Sequence, residues 1–136
     1  MTTTHLSVAQ MREIAVAALE DIKGEDILAL DTTKLTSMFD CMIVASGNSN
    51  RQVKALANNA REKLKEAGAE IMGMEGDQTG EWVLLDVGPV IVHVMLPAVR
   101  DYYDIEQLWG GQKPTFNPTR PWQAAIQAHE DDFGKI

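Results

Sequence analysis

Trp82-Val83-Leu84-Leu85-Asp86-Val87-Gly88-Pro89-Val90-Ile91-Val92-His93-Val94-Met95-Leu96 holds two apolar segments parted by Gly88-Pro89. Short apolar runs bounded by turn residues read as strands, here Trp82–Val87 and Val90–Leu96. A two-residue link with glycine first suits a type II′ hairpin, because glycine takes a positive φ at no steric cost. That turn sets the register. Val87 faces Val90, Leu85 faces Val92 and Val83 faces Val94, a wholly aliphatic set that belongs in a core. The other face pairs Trp82 with Met95, Leu84 with His93 and Asp86 with Ile91, mixing an aromatic, an acid and an imidazole. On pattern alone Trp82 divides evenly between a packing role and an interface anchor.

Working outward, Cys41–Ala45 is an apolar run without polar alternation, so both its faces are expected to be covered. Ile27–Asp31 reads as a short buried strand, Thr32–Asp40 as an irregular connection, and Ala69–Met72 as a brief third strand. The spacing of Met11, Ile14, Ala15, Ala18, Leu19 and Ile22 predicts a first helix. Ser7 with Gln10 makes a capping box, Leu6 with Met11 a hydrophobic staple, and Gly24 a stop. A second helix follows Ser49, whose capping partner is Gln52; Val53, Leu56, Ala57, Ala60, Leu64 and Ala67 form its apolar stripe, and Gly68 ends it. Gly73–Glu81 reads as a surface loop and Arg100–Leu108 as a short third helix after Pro97. Residues 110–121 carry two glycines and three prolines and read as a linker before a tail that ends at Ile136. The order α-β-β-α-β-β-β-α implies a single α/β domain over residues 1–109, with a mixed sheet packed by helices and the second helix as a crossover.

At 136 residues, 45% hydrophobic and 24% charged, the chain has the make-up of one soluble domain. No apolar run approaches the ~20 residues of a membrane-spanning helix. No secretory signal is visible, and the lone Cys41 excludes an internal disulfide, so a cytoplasmic location is expected. A net charge of −8 argues against general affinity for duplex nucleic acid and suits a basic protein partner. The charge is unevenly spread. Residues 51–66 hold Arg51, Lys54, Arg61, Lys63 and Lys65 against Glu62 and Glu66, a local +3, which leaves −11 on the rest. These cations read first as a solvated face and second as a contact to an RNA backbone or an acidic protein.

His5, His93 and His129 fall in three elements with no ligand spacing, so neither a metal nor a cofactor is expected. Cys41 with His93 is weaker as a nucleophilic pair than Cys41 as an inert strand residue. Ser46-Gly47-Asn48-Ser49, between a strand and a helix start, could receive an anion as nucleotidyltransferases do. That chemistry needs clustered carboxylates for two metal ions, and Asp31, Asp40 and Asp86 stand singly at strand ends. A metal-dependent nucleotidyltransferase is therefore the alternative, and a catalytically silent cap the preferred reading.

Three ordered blocks resemble the Iojap family of ribosomal silencing factors: Asp31–Thr36 with Asp40–Ala57; Glu75-Gly76 with Gly80–Asp86 and Val92–Met95; and Arg100–Trp109. The resemblance implies a nucleotidyltransferase-like α/β fold without the catalytic carboxylates, and no enzymatic activity. It implies binding to the large ribosomal subunit, mainly to its fourteenth protein, obstruction of subunit joining, and repression of translation under nutrient limitation. Trp82, Leu84, Asp86, His93, Met95, Arg100, Tyr103 and Glu106 match the positions expected to touch the partner. Contact to ribosomal RNA through the second helix and pairing with a second copy of the chain are further partners this reading admits. The chain departs from the family at Val87, where an aromatic is usual, and at Pro89 and Ala98, where acids are usual.

Overall fold

A computed structural model of the chain describes residues 6–103. Ser7 opens α1 (Val8–Asp21) with both halves of the capping box: its hydroxyl accepts from the Gln10 amide at 3.1 Å, and its own amide donates to the Gln10 side chain at 2.8 Å. α2 (Asn50–Glu66) starts with one half of the same device, Ser49 Oγ accepting from the Gln52 amide at 3.1 Å. Each helix lays its small and aliphatic stripe on the sheet, α1 through Ala15, Ala18 and Leu19 and α2 through Val53, Leu56, Ala57, Ala60 and Leu64. Asn59 ties the pair together, donating to the Ala18 carbonyl at 2.7 Å.

The sheet has five strands in the order β1-β2-β5-β4-β3, namely β1 (Glu25–Asp31), β2 (Cys41–Ser46), β3 (Gly73–Glu75), β4 (Trp82–Asp86) and β5 (Val90–Met95). β2 and β5 run parallel, while β1 with β2, β4 with β5 and β3 with β4 are antiparallel. The mixed sheet and the element order are those the sequence predicts. The hairpin register also matches: Trp82 lies opposite Met95, Leu84 opposite His93 and Leu85 opposite Val92. Gly88 holds φ +86°, as the turn demands, and the Val87 amide reaches the Val90 carbonyl at 3.0 Å.

Two boundaries and one burial differ. β3 is Gly73–Glu75 instead of Ala69–Met72. The end of α2 consumes the intervening residues, since the amides of Ala67, Gly68 and Ala69 turn back to Lys63, Lys65 and Leu64. The strand therefore takes the first part of the expected loop, and Met74 lies opposite Leu85. α3 begins at Pro97 instead of Arg100, proline being well placed where no amide partner is needed, and is described as Pro97–Tyr103. β1 is an edge strand and largely exposed, not buried, because nothing pairs with its outer side among the described residues. A bulge breaks its register between Glu25 and Leu28, where Asp26 holds φ +48°.

The sheet is covered on both faces. α1 and α2 close the first over Ile43, Ala45, Val83, Leu85, Val92 and Val94. The second, with Met42, Val44, Trp82, Leu84, Ile91 and Met95, is closed by Phe39 from the β1–β2 connection and by Val99 of α3. Thr32, fully buried, pins that connection by donating its hydroxyl to the Phe39 carbonyl at 3.0 Å. None of the described helices is long and apolar enough to cross a membrane.

Gly76 sets the return into β4. Its φ is +82°, and a Cβ there would overlap the Trp82 carbonyl oxygen. Gly76→Ala is expected to lose at least ~1–3 kcal/mol, the usual range for a forced backbone conformation, read by urea unfolding. An unchanged midpoint would mean that this loop relaxes freely.

Candidate functional site

The mixed hairpin face is not an open surface. Trp82 is 1% exposed, Leu84 1%, Asp86 7%, and His93 and Met95 0%. The cause is the covering of the second sheet face just described, which pattern alone could not supply. Trp82 Nε1 donates to His93 Nδ1 at 2.9 Å, and the Tyr103 ring lies on the indole with centroids 5.0 Å apart. That hydrogen bond requires Nδ1 to be an acceptor, so the imidazole is neutral. Burial drives the His93 pKa down from 6.5 to about 3. Asp86 accepts from the Gly88 amide at 2.9 Å and so braces the hairpin turn. A partner cannot reach these five side chains without displacing what covers them.

The elements of a transferase site are not brought together. Asp31 pairs with Cys41, Cys41 with Val90, and Asp86 with Ile91, so Asp31, Asp40 and Asp86 all sit at the end where β2 and β5 begin. Ser46-Gly47 sits where β2 leaves the sheet, about 17 Å away for a six-residue strand. Asp31 is occupied with Thr33, accepting from its amide at 2.9 Å and its hydroxyl at 2.7 Å. Those bonds, the hydroxyl's foremost, hold its carboxyl below the usual range. At the turn, Asn48 donates its amide to Gln52 Oε1 at 2.6 Å, and Arg100 Nη1 donates to Ser46 Oγ at 2.9 Å. Gly47 leaves no room either, since a Cβ would stand 2.9 Å from a Val53 methyl. Cys41 is buried, which raises its thiol pKa, as befits an inert strand residue.

What does open to solvent is a groove of about 550 Å³ between the bulged end of β1 and α3, lined by Asp26, Ile27, Leu28, Ser46, Pro97, Arg100 and Asp101. Arg100, one of the residues expected to meet a partner, forms its wall and is anchored through Ser46. Tyr103 is half-buried against Trp82, and Glu106 lies outside the described residues. Two large apolar side chains are exposed without having been singled out by sequence: Leu28, on the groove and 40% exposed, and Tyr102, on another side of α3 and 79% exposed. Tyr102 sits inside the closing block, so its position was visible, but its outward direction depends on where α3 begins. Leu28 was hidden by the expectation of a buried strand. The pairing of an apolar floor with Asp26 and Asp101 offers a basic protein both contact area and charge.

Comparison with known proteins gives these features a setting. The family model described as "Ribosomal silencing factor during starvation" matches residues 5–134. The chain is 64% identical over 121 residues to the ribosomal silencing factor RsfS of Chromobacterium violaceum, covering 88% of this chain and 99% of that one. It is 26% identical over 100 residues to the mouse mitochondrial assembly of ribosomal large subunit protein 1, covering 71% of this chain and 44% of that one. A crystal structure of a Chromobacterium violaceum protein superposes with a TM-score of 0.77 at 63% identity, covering 86% of this chain and 99% of that one. With the match spanning nearly its whole length, the chain belongs to the ribosomal silencing factor family.

Proposed function

We propose that this chain binds the large ribosomal subunit, chiefly through the subunit's fourteenth protein, and blocks joining of the small subunit by occupying the shared face. The reading rests on the family, and the name of the mouse relative points to the same subunit. Its structural support is one observation: where the family's closing block begins, α3 borders a solvent-open groove with Leu28, Asp26, Arg100 and Asp101, and on another of its sides carries exposed Tyr102. The buried hairpin residues then act from beneath. Trp82 packs against His93 and Tyr103 and contributes to the stability of the fold, not to the contact itself. Obstruction is steric, so it requires no proton transfer, metal or cofactor. Repression of translation under nutrient limitation follows if the factor is present while subunits are free.

The purified chain should co-sediment with large subunits, be absent from joined ribosomes, and slow subunit joining in light scattering. Tyr102→Ala should lower affinity for large subunits roughly tenfold to thirtyfold, an anchor-sized loss of ~1.4–2 kcal/mol, with no change in thermal unfolding. Equal affinity of the variant and the parent would move the contact surface away from α3. Failure of the parent to slow joining would remove the function itself.

A further inference from the structure

The cations of α2 are not scattered. At 100° per residue, Arg51, Lys54, Asn58, Arg61 and Lys65 recur at intervals of 3 or 4 and fall within about 80° of arc, while the 14 steps from first to last span about 21 Å. The stripe contains no carboxylate. Glu62 and Glu66 lie to one side of it, and Lys63 on the far side. Arg61 leans to Glu62 at 3.4 Å, an exposed pair that is easily exchanged for another anion. The buried stripe of Val53, Leu56, Ala57, Ala60 and Leu64 turns the other way, toward the sheet. Asn59 faces α1, so the cationic line runs along the flank of α2 remote from α1.

The line is also braced. Asn50 Nδ2 donates to the Thr79 carbonyl at 2.7 Å, locking the first turn of α2 to the Gly76–Gly80 loop. Gly80 makes room for Lys54, because a Cβ there would stand 2.9 Å from Lys54 Cε and 3.0 Å from its Cγ. Along the axis Arg51 and Lys54 stand about 4.5 Å apart and Arg61 and Lys65 about 6 Å apart, with a gap of about 10.5 Å between the two pairs where Asn58 lies. A line of single positive charges with no intervening acid and no apolar anchor fits a phosphate backbone better than a protein surface, where buried aromatic or aliphatic contacts dominate. The −11 carried outside residues 51–66 repels phosphates elsewhere, so such contact is confined to this flank.

We propose that the Arg51–Lys54–Arg61–Lys65 stripe of α2 is a second docking surface, one that takes the phosphate backbone of ribosomal RNA while the α3 groove takes protein. The inference rests on the ribosome binding proposed above. Four phosphate contacts, each worth a slope of about 0.9 in log affinity against log salt, would weaken binding about a hundredfold between 50 and 200 mM salt.

The experiment compares two triple charge reversals in the full chain. One, Lys54→Glu with Arg61→Glu and Lys65→Glu, lies on the stripe. The other, Lys23→Glu with Lys34→Glu and Lys63→Glu, makes the same change in net charge at exposed positions off it. Affinity is measured at several salt concentrations on large subunits and on deproteinised large-subunit RNA. The stripe variant should lose tenfold or more on both probes and show a slope shallower by about 2–3. The off-stripe variant should stay within about threefold with the parent slope. Equal losses in the two variants, or none in either, would overturn the proposal, as would a stripe-dependent loss on subunits but not on RNA, which would indicate an acidic protein. Tyr102→Ala, measured alongside, should weaken subunit binding with the parent slope, so the two surfaces succeed or fail separately.

Discussion

Trp82→Ala is expected to lose ~3–5 kcal/mol of folding stability and, wherever the variant is still folded, to bind large subunits as the parent does. The indole is 1% exposed and is the largest fully buried side chain among the described residues. Removing it empties the space between Met95, His93 and Tyr103, and the surrounding strands can close that space only in part. It also takes away the Nε1 donor that His93 Nδ1 accepts at 2.9 Å, leaving a buried acceptor at a further cost of ~1–3 kcal/mol. Trp82→Phe separates the contributions, since it keeps most of the ring and loses only the donor. Urea unfolding followed by circular dichroism reads the stability, and sedimentation with large subunits below the melting range reads the binding. A variant that unfolds like the parent and yet no longer binds would restore Trp82 to the docking surface, where the hairpin pattern had allowed it.

The second large effect is on acid stability. The His93 pKa is depressed from 6.5 to about 3 in the folded chain by burial. Above pH 6.5 the imidazole is neutral whether the chain is folded or not, and it contributes no pH dependence. Below that, the unfolded chain binds a proton that the folded chain refuses, so stability falls with pH at up to ~1.4 kcal/mol per unit. By pH 3 the accumulated loss from this one group is on the order of 5 kcal/mol, after which the folded form protonates too. His93→Gln keeps a carbonyl oxygen to accept from Trp82 but cannot titrate. Its stability between pH 6.5 and 4 should be flatter than the parent's by several kcal/mol, whatever it loses at neutral pH. Parallel curves for the two proteins would show that the imidazole is hydrated in the folded state.

The parts of this structure that were legible in the sequence are those governed by local rules. Ser7 with Gln10 and Ser49 with Gln52 mark helix starts because capping is settled within four residues. Gly88-Pro89 determines the β4–β5 register because a two-residue turn admits one alignment. The burial of both faces of β2 could be read from Cys41–Ala45 alone. What stayed hidden depends on distant segments. Whether Trp82 meets solvent is decided by Phe39 and Val99, which lie far from it in sequence and carry no periodic signal. Leu28 was expected inside because it is apolar, whereas its strand lies at the sheet's edge, a matter of strand order and not of composition. The cationic line on α2 was visible as a local excess of charge. Its alignment on one flank required the helix that the sequence already predicted.

The bulge at Asp26 bears on how this chain can meet its neighbours. A sheet edge presents unpaired amides and carbonyls, and a regular one recruits any extended backbone it encounters. Here one edge, β3, is three residues long, and the other keeps a regular register only from Leu28 to Asp31. The left-handed backbone at Asp26 twists the rest of that edge out of line. Neither end of the sheet can be extended far by backbone pairing, so runaway strand addition between copies is discouraged even in a crowded cell. Any companion, whether another copy or a ribosomal component, must then be chosen by side chains, and discrimination among companions falls to residues such as Tyr102 and Lys54 that substitution can alter one at a time.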